Sequence, residues 1–252
     1  MNDLPTPADP WADLRRHTPA RIALGRAGGS LPTAELLRFA AAHAQARDAV
    51  HVPLDVAALR AALQADGWQP TEVHSRAAQR DAYLRRPDWG RRLDAASAER
   101  LQRSASGPVD LALVLGDGLS AVATQRHAAP LLRALRDALG GALTIAPPVI
   151  ALQARVALAD EIGALLQARL VLILLGERPG LSSPDSLGAY LTHAPRIGCH
   201  DAQRNCVSNI RPEGLPPEAA AQRLAWLLRE ALRRRTSGIA LKDDSATALL
   251  AP

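Results

Sequence analysis

Glu177 sits where an apolar run meets a polar turn. A carboxylate there can act as a general acid or base, accept a hydrogen bond from a ligand, or simply pair with Arg178 beside it. The run is Leu170 to Leu175, closed by Gly176 and followed by Arg178, Pro179 and Gly180. A short run that is apolar on both faces reads as a strand buried in a parallel sheet. Loops at the carboxyl ends of such strands are where open α/β sheets take their ligands. A second candidate is GDGLSA, Gly116 to Ala121, which follows one apolar run and opens a helical one, as a loose dinucleotide-binding turn would. That fingerprint also needs an acid at the end of the next strand, and Pro147 to Gln153 contain none. Two readings stay open for this turn: a phosphate site, or a tight turn whose Asp117 faces some other ligand.

The remaining chemistry-bearing residues do not assemble by spacing. No second acid stands near Glu177 to complete a catalytic pair, and Ser182 and Ser183 lack the glycine frame of a hydrolase nucleophile. His43, His51, His74, His127, His193 and His200 never fall at metal-site spacing, and Cys199 and Cys206 have no paired ligands around them. Taken alone, Cys206 reads as a buried, inert thiol and Val156 as core packing. The expectation is a binding domain with no catalytic constellation of its own and no metal site.

The elements that must carry these residues alternate as a βαβ sheet requires. Val109 to Leu115 reads as a strand, and Ser120 can cap a helix to Leu139, bent or restarted at Pro130. A weaker strand over Leu143 to Ile150, a helix over Leu158 to Gln167 and a short strand from Cys206 to Ile210 follow in turn. Glu218 to Arg235 is the clearest amphipathic helix, striped by Ala220, Leu224, Leu227, Leu228 and Ala231. Before Gly107 and Pro108 the pattern is mainly helical. A short helix is expected from Trp11 to His17, another capped by Thr33 and running to Arg47, and a third from Val56 to Asp66. Leu36, Leu37, Ala40, Ala41 and Ala44 fall on one face of the second of these. The predicted fold is therefore α/β, a Rossmann-like, mostly parallel sheet with flanking helices over residues 107–252. Residues 1–106 precede it as an arm and helical region, and the tail after Lys242 reads as disordered.

With 252 residues the chain can bury a full core, and 48% apolar content with only 3% aromatic residues means that Leu, Val and Ala must fill it. The net charge of +5 comes from arginines scattered along the chain, without the aromatics that would stack on bases, so nucleic acid is not an expected partner. No signal peptide or membrane-length apolar run is visible, and two cysteines suit a reducing compartment, so a cytoplasmic protein without a membrane partner is expected.

The stretches RIALGRAGGSLPTAELLRFAAAHAQARDAV, YLRRPDWGRRL, DGLSA, LVLILLGERPGLSSPDSLGAYLTHAPRIG, RNCVSNIRPEG and SGIALKD cover nearly the whole chain. In them the sequence resembles the small subunit of ethanolamine ammonia-lyase, most specifically in GERPGL followed by NCVSNI. The resemblance implies an adenosylcobalamin-dependent lyase that converts ethanolamine into acetaldehyde and ammonia. In that family, cleavage of the cobalt–carbon bond yields a radical that takes hydrogen from the substrate. It implies a large-subunit partner with a TIM barrel that holds substrate and most of the chemistry, and an assembly of several large–small pairs. It implies cobalamin contacts at Val156, Glu177 and Cys206, with Asp117, Arg155, Pro179 and Ser183 as neighbours. Relatives with a long amino-terminal extension enter a bacterial microcompartment. The short arm here favours free cytoplasmic enzyme, with the microcompartment as the other address. The alternative class is a non-catalytic nucleotide or small-molecule binding module on the same fold.

Overall fold

The computed structural model describes residues 11–18 and 20–245. Its centre is the apolar run read above, now strand β4 (Ala168–Gly176), in which every residue but Arg169 is buried. Beside it lies β2 (Val109–Gly116), and beyond that β3 (Val149–Leu152) and β1 (Thr71–His74). On its other side run β5 (Leu187–His193) and β6 (Arg204–Ile210), giving the order β1-β3-β2-β4-β5-β6. The first four strands pair in parallel, whereas β5 and β6 return antiparallel. The fold is α/β with a mixed sheet, so the expectation of a mostly parallel sheet missed its antiparallel edge. The stretch expected to be helical also contributes a strand, because β1 pairs with β3.

Alternation along the central strands decides what each face carries. Leu111, Leu113, Leu115, Leu170, Leu172 and Leu174 face helices α5 (Ala121–Leu139) and α7 (Pro217–Arg234), with Leu59 and Leu63 of α2 (Val56–Ala65) joining the same core. Ala112, Val114, Val171 and Ile173 face the other way, onto α6 (Leu158–Leu165) and α4 (Ala95–Ser104) through Leu158, Ile162 and Leu101. A run that is apolar in every position is thus a strand covered on both sides.

Side-chain caps set three helix starts. Ser120 Oγ accepts the N–H of Ala123, and Asp55 and Asp94 cap α2 and α4 in the same way. Pro130 neither breaks nor restarts α5, because it lies on the exposed side, where water can take the carbonyl that its missing N–H leaves free. Thr33 is the first residue of α1 (Thr33–His51) and not its cap, a position taken by Pro32 without a side-chain bond. Pro147 and Pro148 move the third strand to Val149–Leu152, and Ile145 keeps only an isolated bridge to Leu111.

The apolar face assigned to α1 is not a core face. Ala49 is its one buried residue, while Leu36 and Leu37 are 56% and 64% exposed. A short 3₁₀ helix, Ala12–His17, stands where the first helix was expected. The start of the arm and the last seven residues of the tail lie outside the described residues, although Asp243, just after Lys242, pairs with Arg223.

Candidate functional site

At the carboxyl end of the sheet the turn after β2 and the end of β4 lock together. Leu119 N–H donates to the Gly176 carbonyl at 2.8 Å. A side-chain carbon on Gly176 would lie 1.9 Å from the Ser120 carbonyl oxygen, so only glycine permits the approach. Asp117 turns inward at 3% exposure and accepts three backbone N–H bonds, from Gly118, Gln153 and Ala154, each 2.9 Å long. Burial raises its pKa above the usual carboxylate value against the pull of those bonds and of Arg80. The expectation that Asp117 faces a ligand is therefore corrected: it ties the loop after β3 to the turn after β2. The same bonds bear on the phosphate reading. The N–H groups of Gly118, Leu119 and Ala123 that a phosphate would need are already taken.

Above this lock lies an open crevice of about 430 Å³, whose walls include Tyr83, Arg155, Val156, Leu175, Glu177 and Tyr190. Val156 and Glu177, far apart in sequence, thus face one space. Glu177 is held from several sides. Its N–H donates to the Ser186 carbonyl at 2.9 Å, and the Ser186 hydroxyl donates to its Oε2. The Asn209 N–H approaches the same oxygen at 3.5 Å. Gly188 leaves room for it, since a side-chain carbon there would come 2.7 Å from Glu177 Oε1. Paired with Ser186 and not with Arg178, the carboxylate is fixed at the mouth of the strand.

Cys206 stands opposite Tyr190 in the β5–β6 register. It is exposed on the edge strand, not buried as its residue type suggested. Even so, the surrounding chain desolvates the thiol and, with the charge of Glu177, raises its pKa, which keeps it neutral at pH 7. Desolvation, with Cys206 and Glu177 nearby, likewise pushes Tyr190 up. Three residues that composition could not connect so come near one another, Glu177 just after β4 and the facing pair Tyr190 and Cys206 within β5 and β6.

Tyr83 builds the floor. It is fully buried, donates to the Ala154 carbonyl at 3.0 Å, and lies between the guanidinium groups of Arg80 and Arg155, 4.7 and 4.2 Å from its ring centre. Burial pushes its hydroxyl up to about 12. Arg155 donates Nη2 to the Tyr83 carbonyl at 3.2 Å, while its buried Nε has no acceptor. Pro179 and Ser183 belong to a loop closed by mutual Gly180 and Ser183 backbone bonds, outside the crevice wall. Sequence reasoning missed Tyr83, Tyr190 and Ser186. The signal that could have found two of them is scarcity, because the chain has only two tyrosines and both line this crevice.

Among the described residues no cluster of three or more His, Cys, Asp or Glu could hold a metal ion.

Residues 8–242 match the family described as ethanolamine ammonia-lyase light chain. The chain belongs to that family. It is 58% identical over 246 residues to the ethanolamine ammonia-lyase small subunit of Ralstonia nicotianae, covering 96% of this chain and 91% of the relative. It is 55% identical over 249 residues to the protein of that name from Pseudomonas syringae, covering 97% and 87% of the two chains. For the Azotobacter vinelandii protein of the same name the figures are 56% over 250 residues, 98% and 93%.

Proposed function

We propose that the chain is the small subunit of an adenosylcobalamin-dependent ethanolamine ammonia-lyase, which releases acetaldehyde and ammonia from ethanolamine. The observation that carries this reading is the crevice in which Val156 and Glu177 meet above the ends of β2 and β4, with Cys206 nearby on β6. A corrin ring is broad, apolar on its faces and fringed with amides. The residues present fit it: Glu177 can accept from an amide N–H, the buried Nε of Arg155 is a donor without a partner, and Val156, Leu175 and Tyr190 offer apolar surface. When bound, the cofactor supplies a cobalt–carbon bond whose cleavage begins radical chemistry.

This chain's part is to hold and enclose. Glu177, oriented by Ser186, would hold the cofactor by accepting a hydrogen bond, with Val156 after β3 and Cys206 on β6 as its further contacts. The parallel half of the sheet serves as a Rossmann-like platform, and residues 107–252 carry the contacts while Tyr83, from the preceding part, supports them. Catalytic groups for the substrate belong to a large-subunit TIM barrel that closes the open side and keeps water out. Several large–small pairs assemble, in the cytoplasm or in a bacterial microcompartment. Among the described residues no helix is long and apolar enough to cross a membrane.

The test is ammonia release from ethanolamine in the dark by the purified chain, by a large subunit, and by both together, each with and without adenosylcobalamin. Activity confined to the mixture of both chains and cofactor is the expected result. Activity that is unchanged when this chain is left out would contradict the proposal.

A further inference from the structure

Strand β6 is irregular at one place. In its antiparallel register with β5, Leu187 lies opposite Ile210 and Ala189 opposite Val207, so Ser208 and Asn209 together face Gly188 alone. Two residues against one make a β-bulge, a device that re-aims groups beside binding sites. Asn209 has a φ of 56°, in the left-handed region that residues with side chains seldom enter and that asparagine tolerates better than most. That conformation costs free energy and persists only where the surroundings hold it. They do so here on several sides. The Asn209 carbonyl accepts the Leu215 N–H at 2.8 Å, and its Oδ1 accepts Arg211 Nε at 3.1 Å. Gly214 closes over it so tightly that a side-chain carbon there would come 2.3 Å from the Asn209 carbonyl oxygen.

Both halves of the bulge meet the Glu177 carboxylate. Gly188, the single residue opposite, admits it by lacking a side chain, since a carbon there would lie 2.7 Å from Oε1. On the other side the Asn209 N–H reaches Oε2 at 3.5 Å, beside the Ser186 hydroxyl that donates to the same oxygen. In a regular ladder, backbone N–H groups point sideways within the sheet. Here one meets a side chain that starts two strands away, just after β4. At 3.5 Å the contact is long for a hydrogen bond, so its part is to aim the carboxylate more than to grip it. Both donors fall on Oε2, and among the described residues none bonds Oε1.

We infer that Asn209 is a positioning residue for the cofactor contact of Glu177. Its left-handed backbone, set in the bulge opposite Gly188, turns an N–H onto Oε2 and leaves Oε1 free to accept from the ligand. The inference rests on the cobalamin reading above and adds to it a reason for the break in β6.

The assembled two-subunit enzyme is titrated with adenosylcobalamin, and binding is read from the corrin absorbance. Asn209→Gly, Asn209→Ala and Asn209→Val are compared, each alone and combined with Glu177→Ala. Glycine keeps both the left-handed backbone and the N–H, alanine strains it, and valine, branched at Cβ, suits it least. Loss of the Glu177 bond, about 5- to 150-fold in affinity, is the ceiling for any residue that acts through it. Asn209→Val should weaken binding by about tenfold and Asn209→Ala by about threefold, with Asn209→Gly within about twofold of the unaltered enzyme. In the Glu177→Ala background all three should agree within about twofold, because no carboxylate is left to aim.

A residue that merely supports the fold would weaken binding equally in both backgrounds. That result, or glycine as damaging as valine, or no effect of alanine and valine, overturns the positioning role and leaves the Glu177 contact standing. If Asn209→Val does not assemble, the alanine and glycine variants carry the same comparison. Unchanged affinity in Glu177→Ala itself overturns the cofactor reading of that residue, and the inference falls with it.

Discussion

Replacing Arg204 with methionine isolates what its guanidinium does at the root of β6. Four bonds are lost: two to Asp160, one to Thr192 Oγ1 at 2.9 Å and one to the Cys199 carbonyl at 2.9 Å. The side chain of Asp160 is only 1% exposed, so its charge is left in the interior without a partner. Removing one partner of a buried pair costs about 3–5 kcal/mol. Protonation sets a ceiling on that cost. Keeping a carboxyl with a solution pKa of about 3.9 neutral at pH 7 takes roughly 1.36 kcal/mol per pH unit, or about 4 kcal/mol. The folded-state pKa of Asp160 in the variant then stands above its unfolded value, so the loss is greatest at neutral pH and shrinks as the pH falls towards about 4.

Urea unfolding of the purified protein at pH 7 and at pH 5 measures both quantities. The expected loss is about 4 kcal/mol at pH 7 and about 1.5 kcal/mol at pH 5. Adding Asp160→Asn should recover about 2 kcal/mol or more at pH 7, because the stranded charge is gone. A loss below about 1 kcal/mol, or one that does not change between the two pH values, would refute the reasoning.

Other perturbations follow from the same geometry. Gly176→Ala places a methyl group 1.9 Å from the Ser120 carbonyl oxygen and should cost at least about 3 kcal/mol in the same unfolding assay; a normal midpoint would show that the turn after β2 can retreat. Glu177→Ala should weaken cofactor binding by about 1–3 kcal/mol in an absorbance titration of the assembled enzyme, and Ser186→Ala by less, since it only orients Glu177. Glu230, bonded to Arg233 and Arg234 on α7, is drawn down from 4.5 to about 2. Its contribution is present above pH 4.5 and fades as the pH falls towards 2, and because the pair lies at the surface Glu230→Gln should cost less than about 1 kcal/mol at pH 7, with a flatter acid limb in the pH dependence of stability.

The parts of the fold legible in the sequence are those where one residue pattern allows one environment. Leu170 to Leu175 is apolar in every position and became a strand covered on both faces, and the stripe of Ala220, Leu224, Leu227, Leu228 and Ala231 is buried along α7. Strands β1 and β5 escaped notice because Thr71–His74 is only four residues long and Leu187–His193 is interrupted by Gly188 and Thr192. The apolar face of α1 is exposed, since periodicity shows that a stripe exists without showing what covers it. At the site, the place of Glu177 follows from the end of a strand. Tyr190 and Gly188 come beside it only through the antiparallel register of β4 and β5, which no local pattern specifies. Val156 and Cys206 drew attention only through resemblance, since a valine before a helix and a cysteine in a strand carry no chemical signature of their own.

Hydrogen exchange of the assembled enzyme with and without adenosylcobalamin tests most directly whether this crevice holds the cofactor. The expected result is slowed exchange in three segments: 153–158 after β3, 176–178 at the end of β4, and 204–209 along β6. The exposed helix α1 should not respond to the cofactor. Unchanged exchange in all three segments, with the cofactor bound elsewhere in the complex, would contradict the assignment of Val156, Glu177 and Cys206.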